Sequence, residues 1–361
     1  MLTVIIFIVV LSVLIFVHEL GHFVMAKRAG MKVEEFGFGF PPRLAGFRRG
    51  ETVYSLNWIP FGGFVKIYGE DGEDRNESRS FSSKSFGSRL KVILAGVVMN
   101  FLLATLLLMG GNILGLRIGI FDDATALVAQ DKKIQIISVA GDSPAEGAGL
   151  RVLDELVGFS LSGQAITAVA DPEGVQKFVL AHPGQTIRVH VRRGSQELIK
   201  TVQLRENPPA GQGPLGISMA LTGVVSYPWY ESVWRGVRDA VNLTVNTVIG
   251  YGMLLKDLFM NGELPADVAG PIGIATLTGQ AARVGFNYLL QFIAMISVNL
   301  AVLNAVPFPA LDGGRALMLI IEKIKGSPLN RRVERAINTL GFLALLLLMA
   351  FITVRDIGKF F

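Results

Sequence analysis

Four long apolar segments restrict this chain to folds that cross a membrane several times. They cover Leu2–Ala26, Val92–Leu116, Val284–Leu311 and Ala336–Val354. A membrane-spanning helix needs about 20 mainly apolar residues, so each segment is long enough to cross a bilayer. Only 17% of the 361 residues are charged. The sequence therefore predicts a polytopic α-helical membrane protein with four transmembrane helices.

Basic residues in the loops predict the orientation. Residues 27–89 contain 11 Lys or Arg, and residues 315–335 contain six more. The positive-inside rule places both loops in the cytoplasm, so the N-terminus, the C-terminus and the long insert face the extracytoplasmic side. The net charge of +5 is spread over these loops and does not favour a nucleic-acid partner. The chain has no cysteine, which limits metal ligands to histidine and carboxylate.

A possible metal motif lies inside the first apolar segment, at His18-Glu19-Leu20-Gly21-His22. Two histidines four residues apart share one face of a helix, where both can bind zinc. The glutamate between them can then act as a general base. The alternative is two packed histidines and a glutamate that reaches the interface. That alternative leaves three ionisable groups in lipid without a common partner, which is costly.

The third apolar segment ends in a motif that supplies a further ligand. It reads Asn304-Ala-Val-Pro307-Phe-Pro309-Ala-Leu-Asp312-Gly-Gly. Two prolines break the helix, and the two glycines permit a tight turn that presents Asp312 from irregular backbone. A catalytic zinc site usually has three protein ligands, and the histidines provide only two. Asp312 is the predicted third ligand; the alternative is a helix-capping residue.

The loop between the first two segments predicts a β-hairpin over Phe36–Ile67. Aromatic and β-branched residues alternate there with glycines and prolines. We expect this hairpin to dip back into the membrane, where non-helical backbone must be covered by protein or line a water-filled cavity. Its free edge could accept an unwound substrate as an added strand. An ordinary cytoplasmic hairpin is the alternative.

The long insert predicts a β-rich domain over residues 118–222. Ile134–Val139 and Leu153–Phe159 are strand-like, Pro172–Ala181 is helix-like, and Thr186–Arg192 with Glu197–Leu204 forms a predicted hairpin. A Ser-Pro-Ala turn at residues 143–145, followed by Ala-Gly-Leu at 148–150, is PDZ-like. The alternative is a β-rich extracytoplasmic domain of another type.

Residues 223–283 predict an amphipathic segment at the outer interface. Its uncharged part, Ala240–Leu255, has 16 residues and contains polar side chains, so it is short for a fifth span. A fifth span would also place Asp312 on the opposite side of the membrane from His18. The other two predicted regions of the chain are residues 1–117, which contain the first two transmembrane helices, and residues 284–361, which contain the last two.

The two motifs and the PDZ-like insert together resemble the site-2 protease family of intramembrane zinc metalloproteases, of the bacterial regulator-of-sigma-E protease type. The resemblance covers essentially the whole chain, although the insert has room for only one PDZ domain. It implies a Zn²⁺ site formed by His18, His22 and Asp312, with Glu19 as general base. It also implies that Asn304 holds the substrate backbone or steadies the oxyanion.

The resemblance further implies a place and a substrate class. We expect a multi-pass protein of the bacterial inner membrane that contacts lipid and cuts single-span proteins within their transmembrane segments. The cut would be the second in a cascade such as anti-sigma-factor release, and the PDZ-like domain would bind a peptide or protein. Two alternatives remain: a zinc transporter with a transit site, and a non-catalytic PDZ scaffold with a structural metal.

Overall fold

The helices of the protein follow the hydropathy pattern. The computed structural model describes residues 2–70, 76–161, 164–262 and 269–360. Its helices are α1 (Leu2–Arg28), α2 (Phe86–Leu114), α3 (Asp123–Val128), α4 (Pro144–Gly147), α5 (Pro172–Ala181), α6 (Trp229–Asn261), α7 (Pro271–Val284), α8 (Phe286–Ala305), α9 (Asp312–Lys325) and α10 (Arg331–Phe360). Within these ranges, four helices are long and apolar enough to cross a membrane, namely α1, α2, α8 and α10. The prediction of four such segments is confirmed.

The strands form two separate sheets. They are β1 (Val33–Arg49), β2 (Thr52–Ile67), β3 (Leu116–Gly119), β4 (Gln130–Val139), β5 (Glu155–Ser160), β6 (Thr167–Ala168), β7 (Thr186–Arg193), β8 (Gln196–Gln203) and β9 (Ile217–Val225). In the described part of the chain, β1 pairs with β2, and the other strands form one sheet in the order β3-β9-β4-β5-β7-β8, with β6 beside β5.

Helix α2 differs from the predicted second segment at both ends. It begins at Phe86, ahead of Arg89 and Lys91, and Arg89 pairs with Glu322 of α9 at 3.0 Å, so this charge near the start of the helix has a partner. It ends at Leu114, two residues earlier than expected. Gly115 has a φ of +96°, which stops the helix, and Leu116 begins β3. The end of the predicted segment therefore belongs to a strand.

The chain divides into two compact units. The helical unit comprises residues 1–109, 234–279 and 292–361, and the β-rich unit comprises 110–233 and 280–291. In the helical unit, a buried apolar cluster joins the end of α1, β1, α2 and α9 through Ala26, Val33, Val92 and Leu319. This cluster fixes the start of α9 relative to α1.

The hairpin of β1 and β2 is more folded than the sequence indicates. Phe36 of β1 pairs with both Val65 and Tyr54 of β2, so the first half of β1 lies between two segments of β2. Several large apolar side chains of this sheet are exposed: Phe40, Leu44, Phe47, Leu56, Trp58 and Ile59. Six exposed large apolar side chains on one two-stranded sheet are typical of contact with lipid or with another chain. The predicted hairpin is present, and its depth in a membrane stays a prediction.

The β-rich unit contains the predicted local elements. The strands β4 and β5, the helix α5 and the β7–β8 hairpin lie at the expected positions. Residues 162–163 of the predicted domain lie outside the described residues. Its core includes Phe159, Ile136 and Val189, all fully buried. Strand β9, which follows a loop without a clear alternating pattern, pairs with both β3 and β4. The PDZ character of the unit stays a prediction.

Helix α6 contains Ala240–Leu255, the uncharged part of the predicted interfacial segment, whereas the start of that segment belongs to β9 and its end to α7. Helix α6 is not among the four candidate spans found in the described chain. Many of its large apolar side chains are exposed, among them Trp229, Trp234, Val245, Ile249 and Met253. Residues 263–268 of the predicted segment lie outside the described residues. The position of α6 at the membrane interface stays a prediction.

Candidate metal centre

The two histidines of the sequence motif lie one turn apart on α1 and turn toward each other. His18 Nε2 and His22 Nε2 are 3.2 Å apart. The spacing of four residues places both rings on one face of the helix. His18 is 9% exposed, so the pair lies below the surface of the helical unit. The structure therefore brings the two rings together, and their role as metal ligands stays a prediction.

Asp312, nearly three hundred residues away in sequence, joins this pair. Its Oδ2 atom lies 3.1 Å from His18 Nε2 and 3.4 Å from His22 Nε2. Among the residues that the structure describes, these three side chains form a group able to hold a metal ion. Oδ2 is buried, and no hydrogen bond from the described residues reaches it.

The three donor atoms are spaced as a zinc ion requires. Ligand atoms about 2.0–2.1 Å from a tetrahedral metal are about 3.3 Å from one another. The observed separations are 3.2, 3.1 and 3.4 Å. Two imidazoles and one carboxylate also match the donor set of catalytic zinc sites with three protein ligands. The residues present therefore fit Zn²⁺.

Asp312 reaches the site because the chain between α8 and α9 is not helical. Pro307 and Pro309 lie in this break, as predicted. The left-handed residue of the break is Ala310, with a φ of +73°. Gly313 and Gly314 serve another purpose than the predicted turn: added Cβ atoms there would collide with the carbonyl oxygens of the break. The glycines thus let α9 begin directly against the preceding backbone.

Helix α2 forms the wall of the site, which the motifs did not indicate. A Cβ atom on Gly96 would lie 2.5 Å from His18 Cε1 and 2.5 Å from His22 Nε2. A Cβ atom on Gly21 would collide with the carbonyl of Ala95. Both glycines therefore allow α1 and α2 to approach closely. A glycine inside a helix lowers its stability, but here it permits the close contact between α1 and α2 at the site.

The ring nitrogens that face away from the site also have partners on α2. His22 Nδ1 lies 2.8 Å from the carbonyl oxygen of Val92. His18 Nδ1 lies 3.3 Å from the side-chain amide of Asn100. Such contacts fix which nitrogen of each ring can bind a metal. Asn100 was missed from the sequence, although a polar residue inside a span was a usable signal.

Glu19 lies on α1 beside strand β2. A Cβ atom on Gly63 would be 3.4 Å from Glu19 Cγ, so β2 passes directly over the glutamate. Glu19 follows His18 directly in α1, on the helix that carries both histidines. The fold thus places a carboxylate between the metal group and the hairpin. Its role as general base stays a prediction.

Asn304 is the next-to-last residue of α8 and is half-buried. It precedes the helix break that leads to Asp312. Its predicted contact with substrate backbone stays a prediction.

An ion-pair cluster lies at the C-terminal end of α1, beyond the metal group. Lys27 Nζ lies 2.7 Å from Glu51 Oε1, and Arg79 Nη2 lies 2.6 Å from the same carboxylate. The hydrogen bond from Lys27 is the main reason that the pKa of Glu51 lies below its ordinary value. This cluster ties α1 to the turn between β1 and β2.

Comparison with known proteins agrees with the geometry. The family model described as peptidase family M50 matches residues 6–348. A relative from Clostridium perfringens, whose name includes the words zinc metalloprotease, is 38% identical, with 96% of each chain covered. Zinc metalloprotease RasP of Geobacillus kaustophilus is 30% identical, with 98% of this chain and 97% of that protein covered. These matches extend over nearly the whole chain, and the region matched by the family model contains both motifs. The chain therefore belongs to peptidase family M50, the site-2 protease family.

Proposed function

We propose that the protein is an intramembrane zinc metalloprotease that hydrolyses a peptide bond within a transmembrane segment of another membrane protein. The observation that carries this proposal is the convergence of three donor atoms from α1 and α9 at zinc-like separations. The names of the relatives, which include zinc metalloprotease, support the choice of metal. The four apolar helices support a multi-pass membrane protein.

The proposed chemistry assigns a role to each side chain. His18, His22 and Asp312 hold the ion. Zn²⁺ bound there supplies a Lewis acid that polarises the scissile carbonyl and lowers the pKa of water toward about 7. Glu19 takes the proton from the attacking water and later gives it to the leaving amine nitrogen.

Asn304 donates a hydrogen bond from its side-chain amide to the substrate carbonyl region. In that position it holds the backbone in register or stabilises the negative charge that develops on the carbonyl oxygen. The assignment rests on its place just ahead of the helix break and on the family resemblance.

The sheet of β1 and β2 would present the substrate. A transmembrane helix hides its carbonyl groups in its own hydrogen bonds, so a segment must unwind before it can be cut. Residues 63–67 form an outer segment of the sheet, and Gly63 lies against Glu19. An unwound segment that adds as a strand along this edge has its backbone hydrogen bonds satisfied next to the proposed base.

The substrate class and the location rest on the family resemblance. We propose single-span proteins as substrates, cut at the second step of a cascade such as anti-sigma-factor release. The resemblance implies the bacterial inner membrane, and the basic loops favour an orientation in which the N-terminus, the C-terminus and the β-rich unit face the extracytoplasmic side. The β-rich unit, as a single PDZ domain, would bind a peptide or protein there.

The test is a Glu19→Gln variant of the full chain in lipid nanodiscs, with a single-span protein as substrate. We expect this variant to keep one zinc ion per chain and to lose cleavage, because glutamine cannot take a proton. Glu77→Gln changes an exposed glutamate in the loop between β2 and α2, outside the proposed substrate edge, and should cleave normally. Cleavage by Glu19→Gln at the wild-type rate would contradict the mechanism.

The same samples separate the alternatives. A transporter would move zinc across proteoliposomes without cutting the peptide. A scaffold with a structural metal would behave identically with and without the Glu19 carboxylate. Loss of cleavage with zinc retained in Glu19→Gln is expected only for the protease.

A further inference from the structure

The side-chain amide of Asn100 contacts the outer nitrogen of His18, and the direction of this hydrogen bond depends on where the imidazole carries its proton. Asn100 lies on α2, one turn after Gly96 and on the same face. Its side chain is buried, with 1% of the residue exposed. The amide lies 3.3 Å from His18 Nδ1, with its nitrogen the nearer atom. Asn100 Oδ1 is buried and has no hydrogen-bond partner among the described residues.

The proton on His18 decides which way this amide must face. His18 Nε2 faces Asp312 and His22, so it is the nitrogen available to a metal. A neutral imidazole that binds a metal through Nε2 carries its proton on Nδ1. That N–H needs an acceptor, and an amide NH₂ is a second donor. Rotating the amide group by 180° brings the unpaired Oδ1 to His18. The contact between two donors then becomes an N–H···O hydrogen bond.

The backbone of Asn100 is held in place from a third helix. Ser297 of α8 donates a hydrogen bond from Oγ to the carbonyl oxygen of Asn100, at 2.8 Å. Ser297 is fully buried. This contact fixes α2 at the residue that reaches His18. His22 needs no such side chain, because the backbone carbonyl of Val92 accepts its outer N–H.

We propose that Asn100 is a positioning residue of the metal centre: its Oδ1 accepts the Nδ1 proton of His18 and so commits Nε2 to the metal. The inference rests on the proposed function, in which His18 is a zinc ligand. Partners of this kind usually change metal affinity by about 10- to 100-fold when removed. Asn100 acts through His18 and touches neither substrate nor metal.

The experiment compares three variants of the full chain in detergent or nanodiscs. Asn100→Leu keeps the branched shape, with a larger volume and no acceptor. Asn100→Asp keeps only acceptor oxygens, and Thr105→Val is the matched control. Thr105 is a buried polar residue further along α2 whose hydroxyl donates within its own helix, to Phe101 O. The readouts are zinc affinity by competition with a chelating dye, and the visible absorption spectrum after loading with Co²⁺.

We expect Asn100→Leu to bind zinc about 10- to 100-fold more weakly and to change the Co²⁺ spectrum. Asn100→Asp should bind zinc within about threefold of wild type or more tightly, because a carboxylate is a better acceptor for the same N–H. Thr105→Val should match wild type in both readouts. Recovery by aspartate is a result that a purely structural role for Asn100 does not produce.

Two results overturn the inference. One is zinc affinity in Asn100→Leu equal to that of Thr105→Val. The other is loss of zinc in Asn100→Asp as large as that in Asn100→Leu, and this comparison also decides the matter if the leucine variant does not fold. His18→Ala keeps the inference separate from the proposed function. If His18→Ala binds zinc normally, the proposed metal centre is wrong; if it loses zinc while Asn100→Leu does not, only the role of Asn100 is wrong.

Discussion

Replacing Gly96 by alanine should disable the metal centre while leaving most of α2 undisturbed. The added methyl group would lie 2.5 Å from His18 Cε1, 2.5 Å from His22 Nε2 and 2.6 Å from His18 Nε2. Ordinary van der Waals contact begins at 3.4 Å, so the closest ring atoms must move by about 0.9 Å. The rings have little freedom, because Val92 and Asn100 hold their outer nitrogens.

The expected magnitude follows from this displacement. Zinc–ligand distances tolerate deviations of about 0.2 Å, so a shift several times larger removes at least one good ligand position. In enzyme sites, misplacement of a reacting group by about 1 Å lowers the catalytic rate about 100-fold, and we expect a similar sensitivity for metal binding. We therefore expect zinc affinity to fall about 100-fold or more, which is about 2.7 kcal/mol. The overpacking should also cost about 1–3 kcal/mol of folding stability.

The assay is zinc competition with a chelating dye on the full-length protein, followed by cleavage of a single-span substrate. Gly110→Ala is the matched control, since Gly110 lies in the same helix and a Cβ atom there meets nothing within 4 Å. That substitution should preserve zinc affinity and cleavage. Zinc affinity within about threefold of wild type in Gly96→Ala would refute the reasoning.

Three further outcomes test other parts of the structure. Asp312→Ala should lower the zinc content of purified protein, measured by elemental analysis; full zinc occupancy would exclude Asp312 as a ligand. Arg193→Met removes a bidentate hydrogen-bond partner from Asp154, which is 1% exposed, and should destabilise the β-rich unit by about 2 kcal/mol, measured by hydrogen exchange. The pKa of Glu51 is lowered in the fold, so its stabilising contribution is present above its ordinary pKa of about 4.3 and is lost as pH falls through the lower, folded-state value. The difference in unfolding temperature between wild type and Glu51→Gln should therefore shrink on acidification, and a constant difference down to pH 3 would contradict the ion-pair cluster.

Much of the architecture could be predicted because its signals are local. A run of apolar residues specifies a helix that crosses a bilayer, whatever the rest of the chain does. The spacing of His18 and His22 likewise fixes their relation within one helix. The helix break before Asp312 follows from Pro307 and Pro309 alone. Bringing Asp312 to the histidines was a hypothesis about chemistry, and the 3.1 Å and 3.4 Å separations now support it.

The remaining features depend on how helices and strands meet, and no local pattern specifies this. Gly96 looks like any small residue in a span until His18 and His22 are seen packed over it. The double pairing of Phe36 depends on register between distant segments. The two glycines after Asp312 illustrate the same limit: a turn was predicted, whereas Ala310 takes the left-handed conformation and the glycines relieve a collision.

The distance along the chain between the donors has a consequence for biosynthesis. His18 and His22 leave the ribosome early and enter the membrane with the first helix, whereas the carboxylate comes from the start of α9. During synthesis of the intervening residues, a nascent polypeptide has only two of the three groups and cannot hold zinc tightly. Activity would thus be delayed until translation has passed position 312, so prematurely terminated products would be harmless to neighbouring membrane proteins.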